Sequence, residues 1–561
     1  MDNNFLENQS KKRDEYLNRI IASNNPRKLI VAGPGTGKTY TFKRLLTASG
    51  NTNNLALTFI RKLVADMGNE FGDIAEVKTF HAYCKKLLHS RNGRIELIPF
   101  LTKVIKADAE FIGLQYSNFD NKFQTLEEDS PEVRFYIGRG NYYAAVSFND
   151  SVYRLYKYVK DGDFELPRFD QIVVDEFQDF NALEVAFIEE LEKKSPILIV
   201  GDDDQAVYIG RCSSPAYLRR KFSSGKYEKF ELPFCSRSPR VVVEATSAFI
   251  RNVIKSGNLN SRIERPYVPY LEDKEYENKT YPKIIRATTS TVGILAKFVS
   301  SEIKKIPDID VKEAREKNYP CVLIVGKKQY LNPLSKHLKE RYSNVRFSEA
   351  EPIDYSYIDA YELLKSRDDS NLGWRLLAEF ELSKKEMHEV IKGTLDGTSM
   401  IRLLPLEFLE KHQKIVEIIR SQAHSPEERS LLQDVLGDQT EKVLRHFFLT
   451  DETNEQETDE TQPIILLSSF EGCKGLSAGH VFVVGLNSGV MPRIEENGEI
   501  ADIEYSKFIV ALTRTRKQCY LLSNLYYLGR KIKFKPSSFL DLIPQQYIED
   551  KGYLSAKDIS D

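Results

Sequence analysis

The stretch KLIVAGPGTGKT, residues 28–39, decides the fold. Its first half is a short apolar run that reads as a buried strand, and its second half is a glycine-rich turn that opens a helix. In such a turn, formed by Ala32, Gly33, Pro34, Gly35, Thr36, Gly37, Lys38 and Thr39, successive backbone N–H groups and an ammonium surround phosphates, while the Thr39 hydroxyl faces Mg²⁺. A second strand, QIVVDE at 171–176, runs straight into two acids. Asp175 supplies a carboxylate for the metal, shared with Thr39, and Glu176 one to handle water. Together the two elements predict a site for a nucleoside triphosphate and Mg²⁺.

Outward from this pair, 55–58 and 197–201 read as further apolar strands alternating with amphipathic segments. That grammar implies a parallel sheet with helices on both faces. Ligands in such sheets sit at the carboxyl ends of strands, where Lys38, Asp175 and Asp202 fall. The grammar restarts at 283–287, 321–325, 464–467 and 481–486, with helical stretches near 292–305 and 330–340 and no second glycine turn. The fold class predicted is α/β, with two tandem RecA-like P-loop-type lobes, each carrying a mostly helical insertion. The first lobe takes 1–91 and 168–279 and the second 280–350 and 463–561. The insertions are 92–167, rich in aromatics, and 351–462, ending in the acidic run DETNEQETDETQ.

Composition sets the bounds. A chain of 561 residues is too long for one core. Lys and Arg (80) nearly cancel Asp and Glu (82), so a nucleic-acid surface must be a local basic track, not a whole-molecule field. The six cysteines are scattered without a CxxC pair, which excludes the usual zinc and iron–sulfur spacings and suits a reducing compartment. The polar start and the lack of a long apolar run predict a soluble, cytoplasmic protein without a membrane partner.

Further segments follow in order: LALTFIRKLVADM (55–67), VKTFHAYCKKLL (77–88), VVDEFQDF (173–180), VGDDDQAVY (200–208), PFCSRS (233–238), GCKGLSAGHVFVVGL (472–486) and VALTRTR (510–516). With them the chain resembles the UvrD/Rep/PcrA-type superfamily 1 DNA helicases over nearly its whole length. The resemblance implies ATP and Mg²⁺ as cofactors, Lys38 on the β/γ-phosphates, and Gln205 as a sensor of the γ-phosphate. It also implies that Arg237 and Arg514 reach that phosphate when two lobes close, a contribution typically worth about 10³–10⁵ in rate. Phe59, Thr79, His81 and Tyr208 match segments that line a single strand, where an aromatic face stacks on bases for about 1–3 kcal/mol each. His81 reads equally as a core or capping histidine. Arg154, Lys157 and Lys160 recur every three residues after an Asp150 cap, as one charged helix face, while Tyr153 and Tyr156 read as core.

The sequence departs from the family pattern in three places. Residues 11–25 contain no Gln to read adenine, Ser236 precedes Arg237 where the family has a Tyr, and Ser477 replaces a Glu near the nucleotide. This predicts relaxed base preference. The Trp expected after Tyr208 is absent; the only Trp is Trp374. A DNA-facing His becomes Glu471, which would repel phosphate. Both insertions are short.

The reading is an ATP-dependent DNA helicase, a strand-stimulated ATPase translocating 3′→5′ on single-stranded or partly duplex DNA, with duplex unwinding. Repair and antiviral defence are its settings. The alternative is a regulatory subunit whose nucleotide state gates a separate nuclease or other effector in an anti-phage operon. A nucleotide-bound scaffold without turnover is disfavoured by Glu176, Gln205, Arg237 and Arg514.

Overall fold

A computed structural model of the chain describes residues 3–50, 52–58, 64, 68, 72–92, 95–272, 274–349, 354–421, 425–448, 462–527 and 533–559. Phe59, most of the acidic run after 450 and residues 528–532 of the basic stretch 529–535 lie outside the described residues. The chain divides into two compact units. One comprises Met1–Tyr83, Glu165–Ala350 and Thr458–Asp561, the other Cys84–Phe164 and Glu351–Glu457.

The first unit holds two large parallel sheets and a two-stranded parallel pair, Phe234–Cys235 with Val268–Pro269. The first has six strands: β1 (Arg27–Ala32), β2 (Asn54–Thr58), β3 (Glu76–Thr79), β4 (Gln171–Val174), β5 (Ile197–Gly201) and β6 (Glu228–Leu232), in the order β3-β2-β4-β5-β1-β6. Its central strands are continuous apolar runs because both faces are covered, as in β2 and β5, where every residue is buried. Helices pack on it through Ile20, Phe42 and Leu46, which meet Ile30, Leu198 and Val200 in one core. Two of these helices are α1 (Asn3–Ala22) and α2 (Lys38–Ser49). The register, Val31 beside both Gly201 and Glu231 and Val173 beside both Ala56 and Leu198, aligns the carboxyl ends of the strands at one edge.

The second sheet has seven strands: β7 (Ile284–Thr291), β8 (Val322–Val325), β9 (Val345–Phe347), β10 (Ile465–Ser468), β11 (Ala478–Val484), β12 (Thr515–Tyr526) and β13 (Ile548–Leu554). Their order is β9-β10-β8-β11-β12-β7-β13, again all parallel. The helix Arg240–Lys255 presents Val242, Ala245, Phe249 and Val253 at helical spacing to this second sheet. Phe249 meets Phe508 at a tilt, 5.0 Å between ring centroids, and Phe539 edge to face at 5.5 Å. So this helix, although it precedes the second sheet in the chain, contributes to that sheet's core. Among the described residues no helix is long and apolar enough to cross a membrane, and all six cysteines are free thiols.

The second unit is helical and draws on both insertions. Its centre is Asp108, fully buried. It accepts from Arg139 Nε at 2.9 Å, Arg375 Nε at 2.7 Å and the Tyr143 hydroxyl at 2.7 Å. Arg375, also fully buried, continues to Glu379 at 2.7 Å, and Arg139 to the Thr394 hydroxyl at 2.8 Å. Isolated buried charges are costly, so each is paired here and each guanidinium finds more than one acceptor. The charged-face reading of 148–160 is corrected. The helix Phe148–Lys160 exists, but its cap is Ser147, whose hydroxyl accepts from the Asp150 amide, and Asp150 instead pairs with the buried Arg154 at 2.7 Å. Burying one turn of this helix turns the supposed surface arginine inward. Tyr153 and Tyr156 are core residues.

Candidate nucleotide site

β1 delivers Gly33–Gly37 to the N-terminus of α2, and the glycines are there for space and backbone angle. Gly35 and Gly37 have φ of 73° and 84°, and a Cβ on Gly35 would come within 2.7 Å of the Arg237 Cβ. A Cβ on Gly33 would meet the Tyr267 ring at 2.7 Å. The turn is tied down by Thr36, whose hydroxyl donates to the Gly33 carbonyl (2.9 Å), by the Tyr267 hydroxyl on the Pro34 carbonyl (3.1 Å), and by the Ser236 amide on the Gly35 carbonyl (3.0 Å). With three contacts holding its backbone, the amides of the turn and of the first turn of α2 are pre-aimed at an anion.

At the end of β4, Glu176 adopts φ 52°, a left-handed conformation that costs a non-glycine residue about 1–3 kcal/mol and is sustained by its surroundings. Its carboxylate faces Lys38 Nζ at 3.3 Å and accepts from Gln178 Nε2 at 2.5 Å, while Lys474 Nζ stands 3.7 Å away. Gln178 is fully buried, and its other end accepts the Asp202 amide at 2.9 Å, locking the ends of β4 and β5 together. One Asp175 oxygen takes the Glu176 amide at 2.8 Å.

The electrostatics follow from crowding two acids in a buried site. Burial raises the Asp175 carboxyl, and the adjacent Glu176 charge adds to it. Burial acts on Glu176 too, but Lys38 and Lys474 outweigh it and hold Glu176 below the usual carboxylate range. Lys38 is likewise disfavoured by burial, yet Glu176, Asp175 and Asp202 move its pKa upward on balance. In this state Lys38 and Glu176 form an ion pair. Asp175 and the hydroxyl residue Thr39 supply hard oxygen donors of the kind Mg²⁺ takes.

Two cations come from the second sheet and one, Arg237, from the segment after β6. Arg514 donates from Nη2 to Gln205 Oε1 at 2.8 Å, while Gln205 Nε2 donates to Asp202 at 2.6 Å. Arg237 donates to the Thr513 carbonyl at 2.7 Å. Burial, with Arg237 nearby, lowers Arg514 to about 10. Lys474, in the loop between β10 and β11, reaches Asp179 at 2.5 Å and the Gln205 carbonyl at 2.6 Å. Burial pushes Asp179 up to about 6 even with Lys474 beside it. Thus Lys38, Asp175, Glu176, Gln205, Arg237 and Arg514 converge at one edge. Tyr267, Gln178 and Lys474 join them without having been picked out from the sequence. Gln178 and Lys474 sit inside quoted motifs; Tyr267 carries no motif signal.

The four nucleic-acid candidates are placed differently. Phe59 is not described. Thr79, half-buried at the end of β3, caps the following turn by accepting the Ala82 amide at 3.2 Å. His81 is buried, with its ring 3.5 Å from Glu184. Burial and Arg211 lower it to about 3, and burial raises Glu184 to about 7, so near pH 7 His81 is neutral while Glu184 is about half protonated. Tyr208 packs against the core of the second sheet with Lys474 Nζ 5.5 Å from its ring centroid. Glu471 pairs with Lys507 at 2.9 Å, and Ser477 accepts from Arg516 at 2.9 Å.

Residues 18–211 match the AAA domain family model. Over 657 residues the chain is 22% identical to a "Probable DNA helicase II homolog" of Mycoplasma capricolum, covering 96% of this chain and 88% of the relative. It is 24% identical over 637 residues to the ATP-dependent DNA helicase PcrA of Staphylococcus aureus, covering 93% and 85%. It is 23% identical over 662 residues to the ATP-dependent DNA helicase Rep of Buchnera aphidicola, covering 94% and 96%. With its motif order and its two parallel sheets, the chain is homologous over most of its length to the DNA helicase II, PcrA and Rep proteins of the UvrD/Rep/PcrA-type superfamily 1.

Proposed function

We propose that the chain is an ATP-dependent DNA helicase that couples Mg²⁺-dependent triphosphate hydrolysis to 3′→5′ movement on single-stranded DNA. The observation that carries this reading is the Gln205–Arg514 hydrogen bond. It joins a residue that follows β5, beside the phosphate-binding turn, to an arginine carried just before β12 of the other sheet. A triphosphate cradled by the turn and Lys38 would engage Gln205, Arg237 and Arg514 together. Its cleavage would release them, so that hydrolysis is linked to the spacing of the two sheets. Glu176, ionised and oriented by Gln178, accepts the proton of the attacking water. Mg²⁺ bound through Thr39 and Asp175 would neutralise charge on the phosphate oxygens.

The experiment is the hydrolysis rate with and without single-stranded DNA or RNA across salt. A DNA-stimulated rate that falls steeply with salt supports the reading; a rate indifferent to any strand refutes the coupling. The second reading, a nucleotide-gated regulator of a separate nuclease, draws on the inward-turned His81, which weakens the grip on a strand. Strand displacement by the isolated chain decides against it.

A further inference from the structure

Three consecutive acids, Asp202, Asp203 and Asp204, lie buried between the end of β5 and Gln205. Buried carboxylates are costly unless paired, and the cations that pair these come from elsewhere in the chain. Arg219 holds Asp203 at 2.9 Å, and Arg262 holds Asp204 at 2.7 Å. Arg265, whose side chain is 4% exposed, engages all three acids. Its Nη1 donates to Asp203 at 2.8 Å, and its Nη2 to Asp204 at 2.8 Å and to Asp202. Among the described residues Arg265 is the cation that hydrogen-bonds Asp202. It belongs to none of the motifs that mark the site.

Asp202 in turn decides the orientation of Gln205. A carboxamide has a donor end and an acceptor end of almost the same shape, so its neighbours fix which way it points. Here Nε2 donates to Asp202 Oδ2 at 2.6 Å, and Oε1 accepts from Arg514 Nη2 at 2.8 Å. An acceptor-only carboxylate on one side and a donor-only guanidinium on the other admit a single orientation. That orientation holds only while the Asp202 carboxylate stays in place. Its second oxygen, Oδ1, is tied by Arg265 and by the Asp204 amide at 3.1 Å.

The segment that carries Arg265 also reaches the other parts of the site. At its start the Leu259 amide donates to Asp502 at 3.0 Å, at the head of the helix Asp502–Leu512 that leads to Arg514. In its middle the Ile263 amide donates to Asp203 at 2.8 Å. At its end the Tyr267 hydroxyl holds the Pro34 carbonyl of the phosphate-binding turn. Residues 259–267 thus brace the turn, the acids before Gln205 and the helix before Arg514 against one another. We propose that Arg265 is a positioning residue for triphosphate hydrolysis: through Asp202 it fixes the Gln205 amide in the sense that meets Arg514 and the γ-phosphate. This rests on the hydrolysis reading above, with Gln205 as the group that senses that phosphate.

The test measures kcat and KM for ATP in the full chain, with Mg²⁺ and single-stranded DNA, for Arg265→Lys, Gln205→Ala and the double variant. Lysine keeps the charge but loses the planar fork that bridges three carboxylates. Arg265→Lys should lower kcat about tenfold with KM within about twofold, as when an interaction made in the transition state is removed. The double variant should be no slower than Gln205→Ala, because Arg265 acts through Gln205. A merely structural arginine would instead add its loss to that of Gln205→Ala. Asp202→Asn, nearly isosteric, breaks the same link from its other side. It should reproduce the kcat loss, and it stands in should Arg265→Lys fail to fold. Unchanged kcat in these folded variants, or losses that add to that of Gln205→Ala, overturns the positioning role and leaves the triphosphate site standing. Unchanged kcat in Gln205→Ala overturns the sensor reading, and the role of Arg265 with it.

Discussion

Replacing Asp108 by alanine would leave two guanidiniums facing a cavity at the centre of the helical unit. The Asp108 side chain is fully buried, as is Arg375, and Arg139 is only 4% exposed, so water cannot replace the lost carboxylate. Arg375 keeps Glu379 and Arg139 keeps Thr394, which bounds the loss. Removing one partner from a buried ion pair costs about 3–5 kcal/mol. For a unit of this size each kcal/mol moves the midpoint by about 2–4 °C, so a drop of roughly 6–20 °C is expected. The chain's single tryptophan, Trp374, is buried next to Arg375 in the same unit and reports its unfolding by fluorescence. The combination Asp108→Leu, Arg139→Met and Arg375→Met, which removes all three charges, should recover most of the loss. An Asp108→Ala cost below about 1 kcal/mol in urea, or a triple variant no better than the single one, would refute the argument.

Three further outcomes are expected. Lys38→Ala should abolish turnover, read by phosphate release, because it removes the ammonium from the turn; near-normal hydrolysis would sink the site assignment. Glu176→Gln should keep nucleotide binding, measured by titration calorimetry, while hydrolysis falls at least 100-fold, the order of a general-base contribution; a large loss of affinity would count against its water-handling role. The third concerns His81 and Glu184. His81, lowered to about 3, binds a proton less readily folded than unfolded, so its contribution to stability falls as pH drops from about 6.5 toward 3. Glu184, raised to about 7, binds its proton more readily when folded and contributes the opposite slope from pH 7 down to about 4.5. Glu184→Gln should therefore steepen the acid-side loss relative to wild type by about 1.4 kcal/mol per pH unit between pH 6 and 5. An unchanged slope in urea titrations would show that the pair is not neutral.

The central strands were legible because a strand buried on both faces must be a continuous apolar run, and 28–32, 55–58 and 197–201 are such runs. The edge strands were not. EVKT at β3 is only half-buried and EKFEL at β6 alternates charge with apolar residues, so neither stands out from a loop. Lys38, Asp175 and Glu176 were readable from local spacing at strand ends. Lys474 was not, because its partners Asp179 and Gln205 lie 295 and 269 residues away and pairing at that range leaves no local pattern. The two insertions looked like separate stretches for the same reason: what makes them one unit is a set of buried side chains, Asp108, Arg139 and Arg375, whose periodicity is only that of any helix. Base recognition shows the opposite limit. The missing Gln was visible between 11 and 25, but only the fold shows that Gln9 is spent on the backbone, its Nε2 on the Pro269 carbonyl and its Oε1 on the Leu271 amide.

The Asp108–Arg375 bond spans 267 residues of chain. During synthesis at about 5–20 residues per second, roughly 13–53 s pass between the appearance of the carboxylate and that of its partner. Throughout that interval the first half of the helical unit has its aspartate and Arg139 but no Arg375 and no opposing core. Meanwhile β4 to β6 emerge and complete the first sheet, whereas β7 to β9 emerge before any of the strands they pair with. The order of residues on the ribosome thus obliges the first insertion to wait as an incomplete body with exposed aromatic surface. Its window for capture by a chaperone, or by another nascent copy, is set by the length of the intervening sheets.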